Sequence, residues 1–83
     1  MRPATKVSLT PLQRKAEFAK HATLNQKPVS RAAEEDLDSS WTHLRECFEG
    51  ERTPSKELAT KVAAYVEMEP EEFWGAELMA QVR

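Results

Sequence analysis

Glycine and cysteine are scarce in this chain of 83 residues, and each shortage closes off a class of function. The two glycines, Gly50 and Gly75, stand far apart, so there is no glycine-rich loop to cradle a phosphate. Cys47 is the only cysteine, which excludes an internal disulfide and a cysteine-based zinc pattern. His43 and Cys47 are spaced i, i+4 and can share one helix face, but no second pair of ligands accompanies them, so no metal or other cofactor is expected. No apolar run is long enough to cross a bilayer, and the first residues lack the apolar core of a signal peptide, so a cytoplasmic, reducing location is the expectation. No motif sets a nucleophile beside a base, and Glu34, Glu35, Asp36 and Asp38 do not have the spacing of a calcium loop. The chain does not read as an enzyme.

What is present is charge, unevenly placed. Before Ala32, Arg2, Lys6, Arg14, Lys15, Lys20, Lys27 and Arg31 stand against the single acid Glu17; from Ala32 onward five basic residues face thirteen acids. The first part can follow a phosphate backbone, and the second would be kept away from one or used on a protein partner. A chain this short has room for one domain with a small core.

Residues 1–9 show no sustained period and read as a mobile basic arm. A single domain over 10–83 follows. Thr10-Pro11-Leu12-Gln13 is a helix start, with Thr as cap, Pro in first position and Gln three places after the cap, and the helix should run to about Asn25. Its apolar positions, Leu12, Ala16, Phe18, Ala19, Ala22 and Leu24, are irregularly spaced; Lys15, Lys20 and His21 read as its solvent side. Pro28 ends the following loop, and Ser30 is expected to cap a second helix from Arg31 to about Leu37, with Ala32 or Ala33 against the third.

The third helix is the most informative element. Over Ser40 to Glu49, Leu44, Cys47 and Phe48 form an inward stripe, and Trp41, Thr42, Arg45 and Glu46 are left facing away. Ser40 can cap its start and Gly50 can close its end with positive φ. Thr53-Pro54-Ser55 opens a fourth helix with Leu58, Val62, Tyr65 and Val66 inward, and Glu69-Pro70-Glu71-Glu72 opens a fifth with Phe73 closing the core. Trp74, Leu78 and Val82, with Met79 beside them, make a further apolar stripe, read either as a dimer contact or as a cover for the first helix.

The run Ser40-x-x-x-Leu44-x-x-Cys47-Phe48-Glu49-Gly50-x-Arg52-x-Pro54-Ser55, continued by Glu57-Leu58-Ala59, Val62-Ala63, Val66, Met68 and Pro70-Glu71-Glu72-Phe73, resembles the Cro/phage-repressor (lambda repressor-like, XRE-type) helix-turn-helix family. The resemblance covers roughly residues 28–74. It departs from the family where Glu34 replaces a small residue and Asp38 replaces a glycine in the turn; Ala33 lies one place earlier, and Asp tolerates the left-handed conformation.

The resemblance implies an all-α, five-helix domain that regulates transcription as a homodimer on double-stranded DNA, as phage, plasmid or bacterial repressors do. Its recognition helix would offer Trp41, Thr42, Arg45 and Glu46 to base edges, while Lys27, Arg31, Ser40, Arg52 and Lys56 would hold phosphates. Arg45 suits the two acceptors of guanine, Thr42 a thymine methyl, and Glu46 the amino group of cytosine. A competing reading keeps the helix-turn-helix but uses its acidic surface on a protein, in the manner of an antirepressor or antitoxin-like module. An ordinary structural role for Arg45 is an i, i+4 pair with Glu49.

Overall fold

The computed structural model describes residues 9–82, so the basic arm read over 1–9 lies, apart from Leu9, outside the described residues. Among the described residues there are six helices and no strand: α1 (Pro11–Leu24), α2 (Val29–Asp36), α3 (Trp41–Glu49), α4 (Lys56–Tyr65), α5 (Pro70–Trp74) and α6 (Ala76–Val82). The helix ends follow local chemistry. At α1, Thr10 Oγ1 accepts from the Gln13 N–H at 3.2 Å and Gln13 Oε1 accepts from the Thr10 N–H at 2.9 Å, a reciprocal capping box. Ser40 and Ser55 cap α3 and α4 by accepting from the N–H groups of His43 and Leu58. Gly50, at φ 86°, closes α3 as expected: the Glu51 N–H bonds the Glu46 carbonyl at 2.9 Å. The same closure ends α1 and α4 without glycine, with Gln26 at φ 60° and Glu67 at φ 58°.

Two boundaries differ from expectation. Ser30 does not cap α2, because the helix has already begun at Val29: Pro28 occupies the cap position and its carbonyl accepts from the Ala32 N–H at 3.0 Å. The expected fifth helix is two helices. Gly75 takes φ 97° and ψ 145°, outside helical geometry, and a new helix starts beyond it.

All six Phe, Trp and Tyr rings belong to one contact network. Phe18 of α1 lies against Phe48 of α3 with centroids 5.7 Å apart, and Phe48 in turn meets Phe73 and Trp74, each at 5.6 Å. Tyr65 joins at Phe18, at 5.4 Å. Such pairs contribute ~0.5–1.5 kcal/mol each beyond the area they bury. Of the expected inward residues, Leu44, Cys47, Phe48, Leu58, Val62, Val66 and Phe73 are buried and Tyr65 is partly buried, and Ala32 and Ala33 both pack fully beneath the neighbouring helices. Helix α1 is narrower in its packing than its composition suggests: Phe18 and Ala22 are buried, whereas Leu12 and Leu24 are 75% and 69% exposed.

The stripe read as a dimer contact or a cover for the first helix is largely taken up within the fold. Trp74 and Met79 are each only 2% exposed, and Leu78 and Val82 are partly buried against the core. Trp74 is fixed further, because its indole Nε1–H donates to the Ala59 carbonyl of α4 at 3.0 Å. The break at Gly75 accounts for this: α6 turns back onto α4 and α5, which use the apolar side chains internally.

Candidate nucleic-acid interface

Two residues after α2, the chain reverses on its way to α3. Asp38 supplies the reversal at φ 55°, and the Ser39 N–H reaches back to the Ala33 carbonyl at 3.0 Å. The left-handed conformation expected of Asp38 in place of glycine is therefore present, at a cost of ~1–2 kcal/mol for a residue with a Cβ. Thr42 is exposed, while Arg45 and Glu46 are half-buried.

Trp41 is a correction. Rather than facing away, it stacks on Phe18 at 5.7 Å and 10° between planes and meets Phe48 edge-on at 6.0 Å. Trp41 precedes Leu44 by three residues and Phe48 by seven, so it sits on the edge of the inward stripe, partly buried, and the core uses the ring.

The charged residues around α3 are mostly paired with one another. Arg45 Nη1 meets Glu49 Oε1 at 3.1 Å, and the other oxygen of Glu49 accepts from Lys15 of α1 at 2.9 Å, so Lys15 is not simply on a solvent side. Arg52 Nε donates to Glu46 at 2.6 Å. Lys27 lies 3.2 Å from Glu35 and 2.7 Å from Asp36, and Arg31 lies 3.6 Å from Glu35. Lys56 is exposed and makes no ion pair among the described residues. Ser40 is exposed, but its hydroxyl oxygen is engaged as the cap of α3. The pairing leaves a signature in protonation. The hydrogen bonds that Lys27 donates to Asp36 and Glu35 raise its pKa, the Lys27 ammonium holds Asp36 below the usual carboxylate range, and Lys15, with Arg45 second, does the same for Glu49.

Cys47 and His43 come together, with Sγ and Nε2 3.9 Å apart, but burial pushes the thiol pKa up, which keeps it protonated and weakly nucleophilic. A cleft of about 250 Å³ lies beside the turn, between Leu37, Asp38, Ser39 and His43 on one side and Ser55, Glu57, Leu58 and Lys61 on the other.

One functional arginine escaped the reading of the sequence. Arg14 was counted with the basic N-terminal charges, yet its guanidinium donates to the carbonyls of Phe73 at 3.1 Å, Phe48 at 2.9 Å and Trp74 at 3.2 Å, and lies 5.6 Å from the centroid of the Trp74 ring. It joins α1 to the last turns of α3 and α5, where carbonyls lack helical partners and carry partial negative charge. The signal was its place four residues before Phe18 and eight before Ala22, on the inward stripe of α1.

Comparison with protein-family models, curated proteins and solved structures finds no match to this chain.

Proposed function

We propose that this chain is a sequence-specific DNA-binding regulator of the lambda repressor-like helix-turn-helix type, with α3 as its recognition helix. The observation that carries the reading is the division of α3: Leu44, Cys47 and Phe48 are sealed inside, while Thr42 is exposed and Arg45 keeps 39% of its side chain accessible. A helix that enters the major groove by its N-terminal end needs an open first turn with polar side chains reaching beyond it. In that placement Arg45 addresses guanine, Thr42 a thymine methyl and Glu46 the amino group of cytosine. Lys56 is free to take a phosphate at once. Lys27, Arg31 and Arg52 take phosphates by exchanging carboxylate partners, and exposed pairs of this kind hold by only ~0–1 kcal/mol. Regulation as a phage, plasmid or bacterial repressor, bound as a homodimer to paired half-sites, enters through the resemblance alone, since Trp74 and Met79 are used by the core.

A second reading has its own observation. Residues 9–82 carry fourteen acids against nine bases, and five cations around α3, namely Lys15, Lys27, Arg31, Arg45 and Arg52, already have carboxylate partners. An acidic face of this sort fits a basic protein partner. Selection of bound fragments from random duplex DNA at low salt separates the two. Enrichment of one motif, a steep loss of binding with salt, and failure of Arg45→Ala to enrich it support DNA recognition. If no duplex is enriched, the acidic surface becomes the place to seek a protein partner.

A further inference from the structure

We infer that Glu49 is a specificity-determining residue of the α3 face: it holds Arg45 along the helix, releases it to a base that satisfies both guanidinium donors, and is then neutralised by Lys15. This rests on the DNA-binding reading. The carboxylate divides its two oxygens, with Oε1 on Arg45 at 3.1 Å and Oε2 on Lys15 at 2.9 Å. The adjacent Arg14 fastens α1 to the Phe48 carbonyl, one residue before Glu49, and so keeps Lys15 within reach of Glu49 independently of Arg45. When Arg45 turns outward, Glu49 therefore retains a counter-ion and no bare carboxylate is left facing phosphate. Glu49 stays ionised while it waits, since Lys15 and Arg45 both hold its pKa below the usual range.

The pair also filters partners. A base edge with one acceptor offers Arg45 little more than Glu49 already gives, whereas guanine presents two acceptors in the geometry of the guanidinium fork. Withholding a cation from the wrong partner is discrimination by exclusion, at some expense in affinity.

Equilibrium binding of the full chain to the enriched duplex and to a scrambled one tests this, using Glu49→Gln, Lys15→Gln, the double variant and Arg45→Ala. Glu49→Gln is expected to tighten the scrambled duplex about 10-fold and the enriched duplex less than about 3-fold, so that discrimination falls. Lys15→Gln is expected to weaken the enriched duplex about 3-fold more in the native background than beside Glu49→Gln, since Lys15 matters through Glu49. If Glu49→Gln shifts both duplexes by one factor while Arg45→Ala still erases discrimination, Glu49 is only a background charge: the inference fails and the DNA reading stands. If no duplex is enriched at all, the DNA reading falls and takes this role of Glu49 with it.

Discussion

Arg14 and Arg45 are both arginines on helices of the same small core, yet the molecule uses them in opposite ways. Arg14, at the rear, donates to three main-chain carbonyls of α3 and α5, acceptors that cannot move or titrate. Arg45, at the front, is held by one carboxylate that already has a second cation. The rear spends its polar groups on cohesion; the front keeps them exchangeable. A half-buried clamp is expected to appear in stability and a surface pair in binding, and the two can be separated by measurement.

The largest effect should come from the rear. Trp74→Ala removes a ring that is 2% exposed, its contacts with Phe48 and Phe73, and a bond to the Ala59 carbonyl, and should cost about 3–5 kcal/mol in denaturant unfolding. A loss under about 1 kcal/mol would show that α5 and α6 are not part of the cooperative core. Next, Arg14→Met, which keeps most of the stem, should cost about 2–3 kcal/mol, because three helix-end carbonyls lose a charged donor. Arg45→Ala should cost less than about 0.5 kcal/mol in stability, the worth of an exposed i, i+4 pair, while losing about 1–3 kcal/mol in binding to a selected duplex. If the stability loss exceeded the binding loss, the contrast between the two arginines would collapse.

Smaller effects sharpen the picture. Glu67→Gly should stabilise the fold by about 0.5–1 kcal/mol, since Glu67 closes α4 at φ 58° where glycine meets no Cβ penalty. The Lys27–Asp36 pair should give a weak pH dependence of opposite sign at its two ends. Asp36 has a lowered folded pKa, so its contribution is present above the ordinary carboxylate value and lost as pH falls through the folded one. Lys27 has a raised folded pKa, so its contribution is full below the ordinary lysine value and lost as pH rises through the folded one. Thermal melts of Asp36→Asn against pH should show a flatter acid limb; an unchanged limb would assign the acid sensitivity elsewhere.

Local chemistry made much of this molecule legible in its sequence. Thr10 and Gln13 marked the start of α1, Ser40 and Gly50 bounded α3, and Asp38 was recognisable as a residue able to replace glycine in the turn. The misreadings concern where a side chain goes once helices meet. Trp41 lies at the margin of the α3 stripe, and only the presence of Phe18 on α1 draws its ring inward. Gly75 breaks the last stretch in two, whereas the regular spacing of Trp74, Leu78 and Val82 suggested one continuous helix with a spare face. Arg14 was the hardest, because a cation on an inward stripe makes sense only when the helix ends that receive it are known.

The single ring network has a practical side. Its two indoles belong to different elements, Trp41 to the first turn of α3 and Trp74 to the end of α5, with Phe48 in contact with both. A Trp74→Phe chain would thus leave one native fluorophore in the first turn of α3, able to report a ligand on that helix without any attached dye.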